Sequence, residues 1–239
     1  MVPVIEPNIL PEGAWMILWG EEETFKSWLV LELAWAVSQG KPWLQYPTRK
    51  HNVLLINTEL PKPLYHQRAI QMGLTRQAVP DNIFIVTDLG IKLDTDAGEA
   101  QLATWVSQSQ PGLVIIDNLY RTFQGNMNSG QEVNRFLDTI SHIRERWGSA
   151  FVFVHHSRKT AYDSVRNQRV RQGVQDLTGS KYLANNASAI YEVQKLKSIG
   201  GNNAILLIPE KLTFSKSSKL PMVYEVDSDA QFHLHLPTP

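Results

Sequence analysis

A glycine, a lysine and a serine near the start of the chain have the types and spacing of a phosphate-binding loop. Gly20, Lys26 and Ser27 match the pattern G-x-x-x-x-G-K-[ST], in which backbone N–H groups and the lysine bind phosphate oxygens and the hydroxyl binds Mg²⁺. Phe25 occupies the second glycine position, which it fits only if the backbone there does not need a glycine conformation. The alternative is a chance Lys-Ser pair at a helix start. The predicted nucleotide-binding residues are Gly20, Glu21, Glu22, Glu23, Thr24, Phe25, Lys26, Ser27 and Trp28.

Acidic residues lie at three places where they could act on a bound nucleotide. The three glutamates inside the loop would repel a triphosphate unless they face solvent. Asp117 ends the apolar segment Leu113–Asp117, which has the form of a Walker B motif, and is predicted to hold Mg²⁺ together with Ser27. Glu59 follows the apolar segment Asn52–Asn57 and is the predicted base for the attacking water. The alternatives are a turn residue for Asp117 and a surface residue for Glu59.

Apolar, β-branched segments alternate with longer amphipathic segments up to His155. This alternation predicts a parallel sheet covered by helices on both faces, with the candidate site at the carboxyl ends of its strands. The predicted strands are Ala14–Trp19, Asn52–Asn57, Asn82–Thr87, Gly112–Asp117 and Ala150–His155. The predicted helices are Lys26–Gln39, Pro63–Met72, Gly98–Ser109 and Gln131–Trp147.

The pattern changes in the last third of the chain. Short strands with little helix between them are predicted there, and they are expected to extend the sheet with antiparallel neighbours. These strands are Ala189–Leu196, Ala204–Pro209, Pro221–Val226 and Gln231–His235. Without an internal repeat or a linker, residues 1–239 are predicted to form a single α/β domain. Residues 1–12 form an N-terminal extension in this prediction, and residues 157–178 form a mobile basic loop.

Composition and charge narrow the class of protein. Apolar residues make up 43% and charged residues 19% of the chain, which are ordinary values for a globular protein. Acidic and basic residues number 23 each, so the whole chain carries no electrostatic footprint for nucleic acid or membrane. The absence of cysteine excludes disulfides, thiolate metal sites and cysteine nucleophiles. No signal peptide and no membrane-spanning stretch are evident, so we expect a cytoplasmic protein without a membrane partner.

With these sites in this order, the chain resembles the RecA-like P-loop ATPases, and within them the RepA-type hexameric helicases and their AAA-named relatives. The resemblance runs from about Leu10 to Phe232 and includes three further motifs. Asp117–Arg121 is similar to a Walker B followed by D-x-L-x-R, and Phe153–Lys159 is similar to V-H-H-x-x-K. Gly179–Leu183 matches R-G-S-x-x-L, except that Thr178 replaces the arginine.

The resemblance implies a RecA-like fold, bound ATP and Mg²⁺, and a homo-oligomeric ring, expected to be a hexamer. It also implies that His156 senses the nucleotide or DNA state. The predicted catalytic residues are Glu59, Lys26 and His156. The arginine that RepA uses as an intersubunit finger aligns with Ser188, which cannot replace it. The candidate substitutes for this finger are Lys195, Lys197 and Lys211.

Basic residues are concentrated directly after His156. The corresponding loops of RecA-like proteins contact single-stranded DNA, and flexible cations suit a phosphate backbone. A solvated loop without a ligand is the alternative. The predicted nucleic-acid residues are Arg158, Lys159, Arg166, Arg169 and Arg171.

Three functions are compatible with the sequence. The first is an ATP-driven, helicase-like motor that acts on single-stranded DNA in the replication of a plasmid, phage or mobile element. The second is a nucleotide-dependent regulatory or assembly switch that binds a protein partner. The third is a degenerate P-loop protein without turnover. DNA-stimulated ATP hydrolysis would distinguish the first from the other two.

Overall fold

The computed structural model describes residues 2–75, 80–156, 162–163, 168–169, 181–217 and 219–235. Its helices are α1 (Lys26–Gln39), α2 (Lys62–Thr75), α3 (Asp96–Ser109), α4 (Gly130–Trp147) and α5 (Lys181–Asn186), with a short 3-10 helix at Leu119–Thr122. Its strands are β1 (Pro3–Ile5), β2 (Leu10–Pro11), β3 (Trp15–Gly20), β4 (Val53–Asn57), β5 (Ile83–Thr87), β6 (Leu113–Asp117), β7 (Ala150–His156), β8 (Tyr162–Asp163), β9 (Gln168–Arg169), β10 (Ala189–Ile199), β11 (Asn202–Leu212), β12 (Met222–Val226) and β13 (Phe232–Leu234).

One sheet organises the molecule. In the described part of the chain, nine strands pair in the order β13-β12-β11-β10-β3-β7-β6-β4-β5. From β5 to β10 all neighbours are parallel, whereas β11, β12 and β13 are added antiparallel. The predicted fold class, a mostly parallel sheet with antiparallel strands at the C-terminal end, is therefore confirmed.

Each face of the sheet carries its own apolar layer, because successive side chains of a strand point to opposite faces. Val53 and Leu55 pack in the layer covered by α1 and α2. Leu54 and Ile56 pack in the opposite layer, which α3, α4 and α5 cover. Among the described residues, no helix is long and apolar enough to cross a membrane.

The N-terminal segment contributes to the first of these layers. β1 and β2 pair as a small antiparallel hairpin. Four of its apolar residues are fully buried against the layer that contains α1, namely Val4, Ile5, Ile9 and Leu10. The residues predicted as an extension are therefore packed into the core.

The β10–β11 hairpin is longer than predicted. Gly200 and Gly201 adopt φ values of 59° and 91°, which allow a tight turn, and pairing continues up to Ile199 and Asn202. The predicted strand ended at Leu196, three residues short of the observed end. Here the polar side chains lie on an exposed ladder, so polarity does not mark the end of the strand.

Residues 157–178, the predicted mobile loop, lie mostly outside the described residues. Within this segment, β8 and β9 form a two-residue antiparallel pair, where the sequence analysis predicted no regular structure. A pair of this length is too short to produce the periodicity from which strands are predicted.

Candidate nucleotide-binding site

The candidate site lies where several parallel strands end. Gly20 at the end of β3 is in register with His156 at the end of β7, and Asn57 at the end of β4 is in register with Asp117 at the end of β6. A cavity of about 450 Å³ opens at these ends. The residues that line it include loop residues 22–28 together with Glu59, Asp117 and His156. Except for Gly20 and Glu21, the residues predicted to bind the nucleotide and to hydrolyse it line one cavity.

The backbone of the loop has the shape that its glycine positions require. A Cβ atom on Gly20 would overlap the carbonyl oxygen of Val193 in β10, so only glycine fits there. Phe25 is the N-cap of α1 with φ 66° and ψ 13°, a left-handed conformation that costs about 1–2 kcal/mol for a residue with a side chain. Phe25 was expected to fit only with a backbone that does not favour glycine, and that expectation is wrong. The Phe25 ring packs partly buried against the layer of α1, which offsets the strain.

Charge in the loop is divided between solvent and interior. Glu21, Glu22 and Glu23 are exposed, which is the condition for their compatibility with a bound triphosphate. Lys26 is only 5% exposed. Its Nζ donates hydrogen bonds to the Glu21 carbonyl and, at 3.1 Å, to the Thr24 hydroxyl. Burial lowers the pKa of Lys26 to about 8, although the nearby carboxylates oppose this effect. The lysine is thus held inside the loop.

Asp117 and Ser27 provide a donor set that fits a hydrated Mg²⁺ ion. Asp117 is 2% exposed, and its Oδ2 accepts a hydrogen bond from the Tyr65 hydroxyl at 3.3 Å. In the described part of the chain, its Oδ1 has no hydrogen-bond partner. Burial raises the pKa of Asp117, and the Ser27 hydroxyl beside it acts in the opposite direction. A buried carboxylate oxygen without a partner, next to a hydroxyl, suits a hard cation that keeps its water ligands.

Glu59 is held by two side chains from neighbouring strand ends. Asn118 Nδ2 donates to Glu59 Oε2 at 2.6 Å and lies 3.0 Å from His156 Nε2. His156 Nε2 lies 3.5 Å from Glu59 Oε2. These contacts with His156 and Asn118 lower the pKa of Glu59 to about 2, so the carboxylate is ionised at neutral pH. Glu59 is therefore no ordinary surface carboxylate.

Backbone and hydroxyl contacts hold the carboxyl ends of β4 and β6, which carry Glu59 and Asp117, in a fixed relative position. Thr58 Oγ1 donates to the Asn118 carbonyl at 2.8 Å and accepts from the Asn118 N–H at 3.0 Å. Asn118 Oδ1 accepts from the Arg121 N–H at 3.2 Å, which sets the orientation of its amide. Glu59 directly follows Thr58, and Asp117 directly precedes Asn118. The hydrogen bonds between Thr58 and Asn118 therefore set the position of Glu59 relative to Asp117.

Two residues of α2 belong to the site but were not predicted. Tyr65 contacts Asp117, and the Arg68 guanidinium lies 5.5 Å from the ring centroid of Trp28, which was predicted to contact the nucleotide. Residues three apart on a helix share a face. The three-residue spacing of Tyr65 and Arg68 on a helix shortly after Glu59 is the signal that could have identified them. The same spacing is equally common on helices without a function.

The three candidate finger lysines have different surroundings. Lys195 lines the cavity of its own chain, and its Nζ lies 5.7 Å from the Phe25 ring centroid. Lys211 Nζ donates to the carbonyls of Ala184 and Asn185 at 2.9 and 2.7 Å, so it holds the end of α5. Lys197 is exposed on β10, and neither it nor Lys211 is among the described residues that line the cavity.

Of the predicted nucleic-acid residues, Arg158, Lys159, Arg166 and Arg171 lie outside the described residues. Arg169 belongs to β9, of which the structure describes only the backbone pairing. The DNA contact therefore stays a prediction.

Comparison with known proteins agrees with this architecture. A comparison with curated proteins gives no significant match. The flagellar accessory protein FlaH from Methanocaldococcus jannaschii is similar over 95% of this chain and 91% of its own, with a TM-score of 0.62 and 13% identity. The RadB recombinase is similar over 92% of this chain and 90% of its own, with a TM-score of 0.63 and 17% identity. At these identities the likeness shows the fold, which is RecA-like.

A sequence-family model described as an AAA domain (AAA_25) matches residues 3–162. This segment contains the phosphate-binding loop, Glu59, Asp117 and His156. Because the match covers more than half of the chain, the protein belongs to the AAA domain family and has the fold of the RecA-like P-loop ATPases.

Proposed function

We propose that the protein binds ATP with Mg²⁺ in the cavity at the strand ends and hydrolyses it. The observation that carries this proposal is the meeting of Lys26, Ser27, Asp117 and an ionised Glu59 at one cavity. A phosphate cradle alone would support binding only. The ionised Glu59 carboxylate on the facing wall can accept a hydrogen bond from a water molecule and orient it for attack, which hydrolysis requires.

Each group has a defined task in this proposal. Lys26 leaves its contacts with the Glu21 carbonyl and Thr24 and binds the β and γ oxygens of the triphosphate. Ser27 and Asp117 would hold Mg²⁺, which when bound would supply positive charge beside the phosphate oxygens. Glu59 orients the attacking water and accepts its proton. Asn118 and His156 keep the Glu59 carboxylate ionised and directed into the cavity.

The Lys26→Ala variant tests nucleotide binding. Loss of the one buried cation of the loop should abolish measurable ATP binding in calorimetry, while the circular dichroism spectrum and melting temperature stay close to those of the wild type. The exposed lysine Lys216 on the loop after β11 offers a control, Lys216→Ala, which should bind ATP normally. A folded Lys26→Ala protein with unchanged ATP affinity would contradict the proposal.

We further propose that hydrolysis drives a helicase-like action on single-stranded DNA by a cytoplasmic, ring-shaped homo-oligomer, expected to be a hexamer, in replication of a plasmid, phage or mobile element. Support comes from the cations between Arg158 and Arg171, which directly follow His156 in the chain. A segment attached there can respond to the nucleotide through His156. Lys197 remains a candidate for a finger that reaches a neighbouring protomer.

An ATPase assay with and without single-stranded DNA tests this second step. DNA should stimulate hydrolysis, and binding should weaken steeply as salt rises, because bound counterions are released from the phosphates. The combined replacement of Arg166, Arg169 and Arg171 by Ala should remove the stimulation and reduce the salt dependence, with basal hydrolysis retained. A switch that binds only a protein partner predicts no DNA effect, and a degenerate P-loop predicts nucleotide binding without turnover.

A further inference from the structure

The phosphate-binding loop departs from its pattern in two ways that should both weaken phosphate binding. Glu21, Glu22 and Glu23 place three exposed carboxylates beside the position of a polyanion. Phe25 replaces a glycine at a position whose backbone is left-handed. A loop that still binds a triphosphate needs positive charge beyond that of Lys26. Among the described residues that line the cavity, Arg68 and Lys195 carry it.

Lys195 is the cation that β10 brings to this loop. β10 runs parallel to β3, with Glu192 in register with Trp19, and the Val193 carbonyl lies directly against Gly20. Two residues further along, Lys195 lies over the loop. Its partner in β11 is Ile205, so pairing on the other side fixes the backbone at this point.

The Lys195 side chain is directed towards the cavity of its own protomer. It lines the same cavity as Lys26, Ser27 and Glu59. Its Nζ lies 5.7 Å from the centroid of the Phe25 ring, within the range of a cation–π contact. The ring therefore gives an otherwise exposed and flexible ammonium group a preferred position beside the loop.

We propose that Lys195 binds the polyphosphate of the nucleotide in its own protomer, and that Phe25 is a positioning residue for Lys195. This inference rests on the proposed nucleotide binding. It assigns a joint role to both departures of the loop. Phe25 is retained in spite of its left-handed backbone because its ring positions the lysine, and the lysine offsets the charge of the three glutamates. Lys195 thereby acts within one chain, whereas a finger would act on a neighbour.

A counterintuitive result follows for the loop pattern. The Phe25→Gly substitution restores G-x-x-x-x-G-K-S and relieves the left-handed strain, yet it removes the ring under Lys195. ATP affinity should therefore fall in this variant although its sequence conforms better to the pattern. Phe25→Leu, which retains an apolar side chain but has no aromatic face, should lose the same affinity, and Phe25→Trp should retain it.

Calorimetric measurement of ATP affinity in the full chain tests the proposal. Lys195→Met should weaken ATP binding by about tenfold or more, which is typical of losing one hydrogen bond between charged groups. Lys195→Arg should retain most of the affinity. The double variant Phe25→Leu with Lys195→Met should bind no more weakly than Lys195→Met alone, because both changes remove the same contact. Lys216→Met is the matched control for loss of an exposed lysine.

Mixing two defective variants distinguishes the protomer in which Lys195 acts. Lys26→Ala supplies an intact Lys195, and Lys195→Met supplies an intact Lys26. If Lys195 binds within its own protomer, the mixture should bind ATP no better than the sum of its parts. Recovery of tight binding would overturn the proposal, because it requires Lys195 to reach a neighbouring site.

The outcomes also separate this inference from the function on which it rests. Unchanged ATP affinity in Lys26→Ala would contradict nucleotide binding by the loop as a whole. Loss of binding in Lys26→Ala, together with wild-type affinity in a folded Lys195→Met protein, would refute only the role of Lys195. Equal loss of affinity and of melting temperature in Phe25→Leu and Phe25→Trp would show that Phe25 is needed only for packing.

Discussion

The two walls of the cavity are built in different ways. On the wall formed by β4, β6 and β7, Glu59, Asn118 and Thr58 are joined by hydrogen bonds of 2.6 to 3.0 Å. On the wall formed by β3 and α1, Lys26 binds its own loop, and the other cations that line the cavity, Arg68 and Lys195, come from α2 and β10. Under the proposed function, the first wall is ordered before a ligand binds, whereas Lys26 on the second wall must change its contacts to bind one.

This difference has a physical reason. A carboxylate that activates water works best when its orientation is fixed in advance, since reorganisation during the reaction raises the barrier. A polyphosphate site must neutralise several charges, and an empty site that already held its cations close together would be destabilised by their mutual repulsion. Substitutions on the first wall should therefore change turnover, and substitutions on the second should change affinity.

Glu59→Gln should have the largest effect on turnover. The amide keeps the size of the side chain but cannot accept the proton of the attacking water, so kcat should fall by about a hundredfold or more while ATP affinity is retained. Steady-state kinetics and calorimetry on the same preparation measure the two quantities. Glu145→Gln on the exposed face of α4 is a control with the same chemistry. Wild-type turnover in Glu59→Gln would show that the carboxylate has no catalytic part.

Asn118→Ala should have an intermediate effect. It removes the 2.6 Å hydrogen bond that orients Glu59, so kcat should fall by about tenfold with little change in ATP affinity. That bond stabilises the ionised carboxylate, so its loss should raise the pKa of Glu59 above about 2. The loss of activity on acidification should then begin at a higher pH in the variant than in the wild type.

The measurement for Asn118→Ala is a pH profile of kcat. Asn203→Ala, at an exposed position of β11, is the control. A fall in ATP affinity of the same size as the fall in kcat would break the distinction between the two walls, because it would place Asn118 in binding.

The smallest effect concerns the pH dependence of binding. The pKa of Lys26 is about 8 in the structure, and a bound triphosphate should raise it towards the ordinary value. ATP binding should therefore take up protons between about pH 8 and pH 10, and affinity should decline as pH rises through this range. Calorimetry in buffers with different ionisation enthalpies measures the uptake. Lys26→Arg, which stays charged, should lose this dependence, and equal proton uptake in both proteins would contradict the assignment to Lys26.

Helices and strands were predicted well where local sequence signals mark both of their ends. α1 was predicted as Lys26–Gln39 and is observed with these bounds, because Gly40 adopts a left-handed φ of 66° and ends it. The bounds of β10 and the presence of the 3-10 helix and α5 were not predicted, since pairing and packing with distant segments determine them. The RecA-like fold is confirmed, whereas the RepA-type and helicase assignments stay predictions.

The candidate site shows the same limit. Lys26 and Ser27 are recognisable because a known pattern fixes their spacing from Gly20, and Asp117 is recognisable because it ends an apolar strand. Asn118 and Glu59 are 59 residues apart, and their contact exists only because β4 and β6 are neighbours in the sheet. Tyr65 and Lys195 likewise reach the site through the order of strands and helices. No spacing rule along one chain encodes such pairs.

The alternation of side chains between the two apolar layers has a consequence for how the protein unfolds. Residues such as Leu54 and Leu55 are adjacent in one strand but stabilise opposite layers. Opening either layer therefore releases strands that the other layer needs, and the two should melt in a single cooperative transition. The amide protons of β3, β6 and β7, which lie in the interior of the sheet, should exchange with solvent only through global unfolding.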